Sequence, residues 1–210
     1  MDSNLILYKN VFDRNEAKEI TFGDFINNPE NCLNEYDSSR VSIWDEIQNE
    51  KSKAIRNELK RNNLPAASFT QTNILSIDID GIQDSPEIVE RCIDRLCDPS
   101  SFYYMDGETQ VLAVQSSVSG NIVAYFKYDC SPEDYSKLYY LIYLKITMLL
   151  GVNVDFLPDV GRLRYLSNGK VHYLNEDALP VTDMFEGDEL PKIYATEKPK
   201  NARKIIYKSL

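Results

Sequence analysis

Ser76-Ile77-Asp78-Ile79-Asp80 constrains this chain more than any other stretch. Two carboxylates alternating with apolar residues suit a strand with two unlike faces. Successive side chains of a strand point to opposite sides, so Leu75, Ile77 and Ile79 share one face while Asp78 and Asp80 share the other. Their Cα atoms are expected about 6.6 Å apart, near enough for both carboxylates to hold one metal ion or bracket two. Hard oxygen donors on a rigid element are what Mg²⁺ requires. The plainer alternative is the wetted face of an amphipathic strand.

A chain of 210 residues suits one domain, or one domain with an appended segment, and is long enough to bury a core. With 43% hydrophobic and 27% charged residues, wholesale disorder is excluded. Met1-Asp2-Ser3-Asn4 lacks the basic and apolar regions of a secretory signal. The most apolar helical stretch, Tyr139 to Leu150, is interrupted by Lys145 and too short for a bilayer, so no membrane partner is expected. Cys32, Cys92, Cys97 and Cys130 form no C-x-x-C pair and have no nearby His. That argues against structural zinc and for reduced thiols in a cytoplasmic setting. Cys92 reads as a packing residue on a helix face. The formal charge of −10 argues against non-specific DNA binding by the whole surface, while leaving room for a local basic groove. Lys192, Lys198, Lys200, Arg203, Lys204 and Lys208 crowd the end, after acidic Asp183, Glu186, Asp188 and Glu189. Such a tail is either solvated or a contact for nucleic acid or a partner.

Leu5 to Phe12 reads as a strand, and Thr21 to Phe25 as a turn into a short helix or loop. One longer helix is expected from about Val41 to Arg61, with Trp44, Ile47, Ile55 and Leu59 on one side. It stops at Asn62-Asn63-Leu64-Pro65, because the residue before proline resists the α region. After the Asp-x-Asp strand and a turn at Asp80-Gly81, Ser85-Pro86-Glu87 opens a helix that turns Ile88, Val89, Cys92, Ile93 and Leu96 inward. Phe102 to Met105, Val111 to Ser116 and Ile122 to Tyr128 read as strands. Ser131-Pro132-Glu133-Asp134 opens the best helix, which ends at Gly151 and carries Leu138, Tyr139, Ile142, Ile146 and Leu149 as its apolar stripe. Val152 to Phe156, Arg162 to Ser167 and Val171 to Leu174 read as closing strands. Strands and capped helices interleave without strict alternation, which predicts an α+β fold.

A third carboxylate, Asp155, follows the long helix, and Asp159 lies four residues on. Arg162 and Arg164 then share a strand face; forked, permanently charged guanidiniums suit a triphosphate, or else form surface ion pairs. Ser116-Ser117-Val118-Ser119-Gly120-Asn121 is either a hairpin turn or a loop offering backbone N–H groups and hydroxyls to phosphate. His172, the only histidine, reads as a strand-surface residue. Among fourteen tyrosines, Tyr103, Tyr104, Tyr125 and Tyr165 are the better base-stacking candidates.

Taken in order, these pieces resemble the archaeo-eukaryotic primase superfamily, in particular the primase-like domain at the N-terminus of virulence-associated-E-type replication proteins of bacterial mobile elements and phages. The resemblance runs over roughly residues 58 to 176. It takes in Glu58-Leu59-Lys60, Leu64-Pro65, Ile77-Asp78-Ile79-Asp80, Ser117-Val118-Ser119-Gly120, Val154-Asp155, Asp159, Arg162-x-Arg164-Tyr165-x-Ser167 and Asn175. It implies a primase-polymerase-like mixed sheet core flanked by helices over 67–176, with 1–66 packed on it and 177–210 as a charged extension. It also implies that Asp78, Asp80 and Asp155 bind Mg²⁺ or Mn²⁺, that Ser117, Ser119 and Gly120 line the nucleotide, and that Arg162 or Arg164 contacts its triphosphate. The substrates would be nucleoside triphosphates on a single-stranded DNA template, joined into short primers. The chain departs from the pattern in one respect. The strand after the serine-glycine loop, Ile122-Val123-Ala124-Tyr125-Phe126, lacks the histidine that active members carry, and Ile122 stands where relatives often have glycine. A catalytically degenerate module that binds nucleotide, single strands or a replication partner is the alternative. With no Walker-type loop in the chain, any helicase would act in trans.

Overall fold

The structure is a computed structural model that describes residues 4–37, 42–70, 72–102 and 109–187. It is α+β, with two four-stranded sheets and six α-helices among the described residues. The first sheet runs β2 (Ala17–Thr21), β1 (Asn4–Tyr8), β3 (Ala66–Ser68), β7 (Leu163–Tyr165). The second runs β4 (Ile74–Ile79), β6 (Ile122–Lys127), β5 (Ala113–Ser116), β8 (Val171–Leu174). Every pairing between these strands is antiparallel, so where the resemblance implies a mixed sheet core the chain forms two antiparallel sheets. The reason lies in the connections: β5 and β6 meet through the tight Ser117–Gly120 turn, which can only return the chain antiparallel.

The second sheet is buried on both faces. Leu75, Ile77 and Ile79, with Val114, Ala124 and Phe126, pack under α5 (Pro86–Cys97) and α6 (Tyr135–Leu150) through Cys92, Leu96, Leu138, Ile142 and Ile146. The opposite face, with Ile74, Ala113, Val123 and Tyr125, packs against Leu5, Leu7 and Ala67 of the first sheet. Also in that layer are α1 (Phe22–Asn27), α2 (Pro29–Asp37) and α3 (Ile43–Asn49), which contribute Phe22, Phe25, Leu33, Trp44 and Ile47. Full burial of each such large side chain is worth roughly 1.5–3 kcal/mol. The first sheet draws on both chain ends: β3 pairs with N-terminal β1 on one side and late β7 on the other. Residues 1–66 thus supply strands to the same sheet as β7.

Helix ends follow local chemistry. Pro86 stands in the first turn of α5, Gly151 closes α6 at φ 64°, and Thr21 caps α1 by accepting from the Asp24 N–H. The helix expected over Val41–Arg61 is two helices, α3 and α4 (Lys53–Asn63), with Val41 outside the described residues. The Glu50 carboxylate accepts from the Ser52 N–H at 2.7 Å, and the Ser52 hydroxyl accepts from the Ile55 N–H at 3.4 Å. Both bonds offer the backbone an alternative to continuing the helix. Ile55 consequently faces solvent at 48% exposure, against expectation. Phe102 closes a 3₁₀ turn (Pro99–Phe102) rather than opening a strand, and the rest of that expected strand lies outside the described residues. Val152–Phe156 reduces to one bridge, Val154 with Ile79. Strand β2, helix α2 and strand β3 had no clear sequence signal.

Candidate active site

Strand β4 carries its polar residues on the face turned toward the first sheet. Ser76 pairs in register with Tyr125, and Asp78 with Val123, both partners belonging to the layer between the sheets. Across that layer stands β7, where Arg164 lies in register with Ala67, and Ala67 with Leu7, so all three point inward. Arg164 is 9% exposed. Its Nε donates to Ser76 Oγ at 2.5 Å, Nη2 donates to the Ser76 carbonyl at 3.0 Å, and Nη1 forms an ion pair with Asp78 Oδ2. Burial alone would lower the guanidinium's pKa; Asp78, with Tyr139 and Tyr125, more than offsets it, and the pKa stands above its ordinary value. Arg164 therefore ties the sheets together. Arg162, expected on the same face, is exposed just before β7, with its N–H bonded to the Asp159 carbonyl.

Asp155 reaches the end of β4 because the chain leaving α6 pairs briefly with it. Val154 bridges Ile79, and the Asp155 N–H donates to the Asp78 carbonyl at 2.9 Å. Its carboxyl lies close enough to that of Asp80 for the two to interact. Burial first, then the Asp155 and Asp78 carboxylates, push Asp80 up to about 6. Asn121, 8% exposed, donates to Asp80 Oδ1 at 3.0 Å while its own Oδ1 accepts from the N–H groups of Ile82 and Gln83 at 3.2 and 3.3 Å. One buried amide thus fixes both the second carboxylate and the turn that follows it. The sequence offered no sign of this beyond the general preference of Asn for turns.

The Ser117–Gly120 loop is a closed hairpin turn. Ser117 N–H donates to Asn121 O at 2.7 Å, Gly120 N–H to Ser117 O at 2.9 Å, and Ser119 N–H to Ser117 Oγ at 3.3 Å. These three N–H groups are spent within the turn, so the loop offers hydroxyls rather than a backbone cradle. Gly120 adopts φ 80°, which admits glycine most readily. Lys60 of α4 donates from Nζ to Ser119 Oγ, a role that its place in Glu58-Leu59-Lys60 does not signal in the sequence. It is half-buried; burial first, then Arg56, lower its pKa, while Asp80 and Asp78 pull the other way.

His172 lies on β8, half-buried, with Nε2 2.8 Å from Ser116 Oγ, beside the loop's root rather than at the carboxylates. Tyr125 is 2% exposed and stacked near Phe69, so it cannot offer a face to a base. Tyr165 is hydrogen-bonded to Arg61; Tyr103, Tyr104 and the basic tail lie outside the described residues.

The structure therefore brings Asp78, Asp80 and Asp155 to one end of β4, beside Ser119 and Lys60. As the side chains stand, no three His, Cys, Asp or Glu among the described residues are grouped to hold a metal ion. The physical reason is visible at Asp78, whose Oδ2 is taken by Arg164. Asp80 and Asp155 suit a hard divalent cation better: two carboxylates in contact call for a proton or a cation, and Mg²⁺ binds through one or two carboxylates while retaining water. No helix among the described residues is long and apolar enough to cross a membrane. No family model, curated protein or solved structure matches the chain.

Proposed function

We propose that this chain is a divalent-metal-dependent nucleotidyltransferase of the primase-polymerase kind, making short primers on single-stranded DNA in replication of a mobile element or phage. The observation that carries the reading is the meeting of Asp78 and Asp80 with the sequence-distant Asp155, next to the Ser117–Gly120 loop. In the reaction a 3′-hydroxyl attacks the α-phosphorus of a nucleoside triphosphate. The O3′–P bond forms as the bond to the leaving pyrophosphate breaks. Bound Mg²⁺ or Mn²⁺ would supply charge neutralisation at the attacking and leaving oxygens. Asp80 and Asp155 would hold it, with the remaining oxygen of Asp78 at the margin and Arg164 fixing that carboxylate from behind. Asn121 keeps Asp80 aimed, and Ser117 and Ser119 offer hydroxyls to the nucleotide; Arg162 is exposed and lies with Phe69, Ile74 and Ser76 toward the other end of β4. Because the Asp80 carboxyl is pushed up to about 6, protons compete with the cation, and cation binding strengthens as pH rises through that value.

A second reading is a non-catalytic module that binds nucleotide or single strands, or docks on a replication partner such as a helicase in trans. It is favoured by the capture of Asp78 by Arg164. The experiment that separates the two is Mn²⁺- or Mg²⁺-dependent nucleotide incorporation on a single-stranded template. The native chain is compared with an Asp78→Asn, Asp80→Asn double variant. Incorporation by the native chain alone supports the transferase; none by either, with both folded, leaves the binding module.

A further inference from the structure

Helix α4 is a polar helix with no fully buried residue, held to the core through half-buried Leu59 and the buried Leu64 that follows it. Lys53, Arg56 and Lys60 recur at i, i+3 and i+7 and therefore lie along one of its sides. This side meets the candidate site at its Lys60 end, where Nζ reaches Ser119 and the charge interacts with Asp80 and Asp78. Arg56 and Lys53 follow about 6 and 10 Å further along the helix axis. Both lie close enough to Lys60 for like-charge repulsion to be felt there, secondary to burial. The surface thus passes from crowded carboxylates to crowded cations, and Lys60 marks the boundary. Ser119 accepts from Lys60 and so retains its O–H to donate.

We propose that the Lys53–Arg56–Lys60 side of α4, with the Ser119 hydroxyl, is a seat for a polyphosphate chain. For the transferase reading, on which this identification of the ligand rests, the chain is the β- and γ-phosphates of the incoming nucleoside triphosphate. A single phosphate would leave Arg56 and Lys53 uncompensated, whereas a chain of linked phosphates running along the helix meets several cations in turn. The carboxylates at the Lys60 end repel a bare anion and accept one that carries a divalent cation there, which orients the chain. The N-terminal residues are then part of the nucleotide site, and Lys60 recognises the leaving group rather than the base or sugar.

The test is calorimetric binding of inorganic triphosphate, dATP and dAMP to the full chain, each with and without Mn²⁺. Native protein, Lys60→Gln, Lys60→Arg, Arg56→Gln and Ser119→Ala are compared, with thermal melts confirming that each variant is folded. Loss of one charge-assisted contact is expected to weaken inorganic triphosphate and dATP about tenfold in Lys60→Gln and in Arg56→Gln. dAMP should be unaffected, and Lys60→Arg should restore most of the loss. The proposal is overturned if native protein does not bind inorganic triphosphate, or if Lys60→Gln binds it as native does. It also falls if Lys60→Arg loses as much as Lys60→Gln, since Lys60 would then only be holding the loop. The two readings fail separately. Lys60-dependent triphosphate binding that ignores Mn²⁺ and supports no incorporation sinks the transferase and keeps the seat. Incorporation that is indifferent to Lys60 and Arg56 does the reverse.

Discussion

Sealing a guanidinium between two sheets costs several kcal/mol unless its charge and donors are matched. Arg164 meets that demand with three bonds to Ser76 and Asp78, across a layer otherwise lined by Tyr125, Phe69 and Leu7. Removing one partner leaves the other charge stranded, so Arg164→Ala should destabilise the protein by about 3–5 kcal/mol in urea melts. Arg164→Met combined with Asp78→Leu should recover most of that loss, because a matched apolar pair strands nothing. Asp80 runs the other way. Its carboxyl is raised from an ordinary value of 3.8 to about 6, so the folded state holds the proton more tightly than the unfolded chain. Its contribution is fully present below pH 3.8 and lost as pH rises through about 6. In urea melts, Asp80→Asn should therefore match the native stability near pH 4 and exceed it at pH 7, by an amount on the order of 1 kcal/mol after solvent screening. An equal gap at both pH values would mean that Asp80 is not raised. The alternation of Ile77-Asp78-Ile79-Asp80 made the two faces of β4 readable in advance. What it could not disclose was Arg164 as the partner of Asp78, because that contact joins two sheets through residues 86 apart in the chain.

Among the elements, β5 and β8 show how a turn residue governs a register. Gly169 passes so near Ser116 that a β-carbon there would lie 1.9 Å from its carbonyl oxygen. The same approach lets Ser116 N–H reach Lys170 O at 2.9 Å, Ser167 Oγ donate to the Ser116 carbonyl at 3.0 Å, and His172 meet the Ser116 hydroxyl. Gly169→Ala must push β8 away. Amide exchange should quicken across Val171–Leu174 while β4 and β6, paired independently of β8, keep their protection. Unchanged exchange at β8 would show that the chain relaxes around the methyl group. Helices α5 and α6 were legible because proline, glycine and a long apolar stripe mark them locally. The break between α3 and α4 was not, since it depends on two short-range bonds from Glu50 and Ser52 that compete with a helical pattern running straight through. Three-residue β3 escaped notice for a related reason: Ala66-Ala67-Ser68 has no strand signature of its own and is a strand only between β1 and β7.

At the scale of the whole molecule, one sheet is assembled from residues near each end of the described chain. Strand β3 stays ordered through β1, and β7 through β3, while Arg164 of β7 reaches the second sheet. A fragment limited to residues 67–176 keeps the carboxylates but loses β1, β2 and Ala66 of β3, and bares the face lined by Tyr125 and Val123. It should show no cooperative thermal transition by circular dichroism, whereas the full chain should melt in one step. A sharp transition in the fragment would show that 67–176 folds without the N-terminal strands.

By itself the sequence determined the α+β class, the Asp78-x-Asp80 strand with its two faces, the helices α5 and α6 and the turn at Gly120. Each of these rests on chemistry within a few residues: side-chain alternation, a proline at a helix start, a glycine at positive φ. Only the tertiary structure decided that there are two antiparallel sheets, that Asp155 comes to rest on Asp80, that Arg164 faces inward to Asp78, and that Lys60 reaches Ser119. Those contacts join segments far apart along the chain, and their geometry is set by which faces must be buried together, which no local pattern encodes.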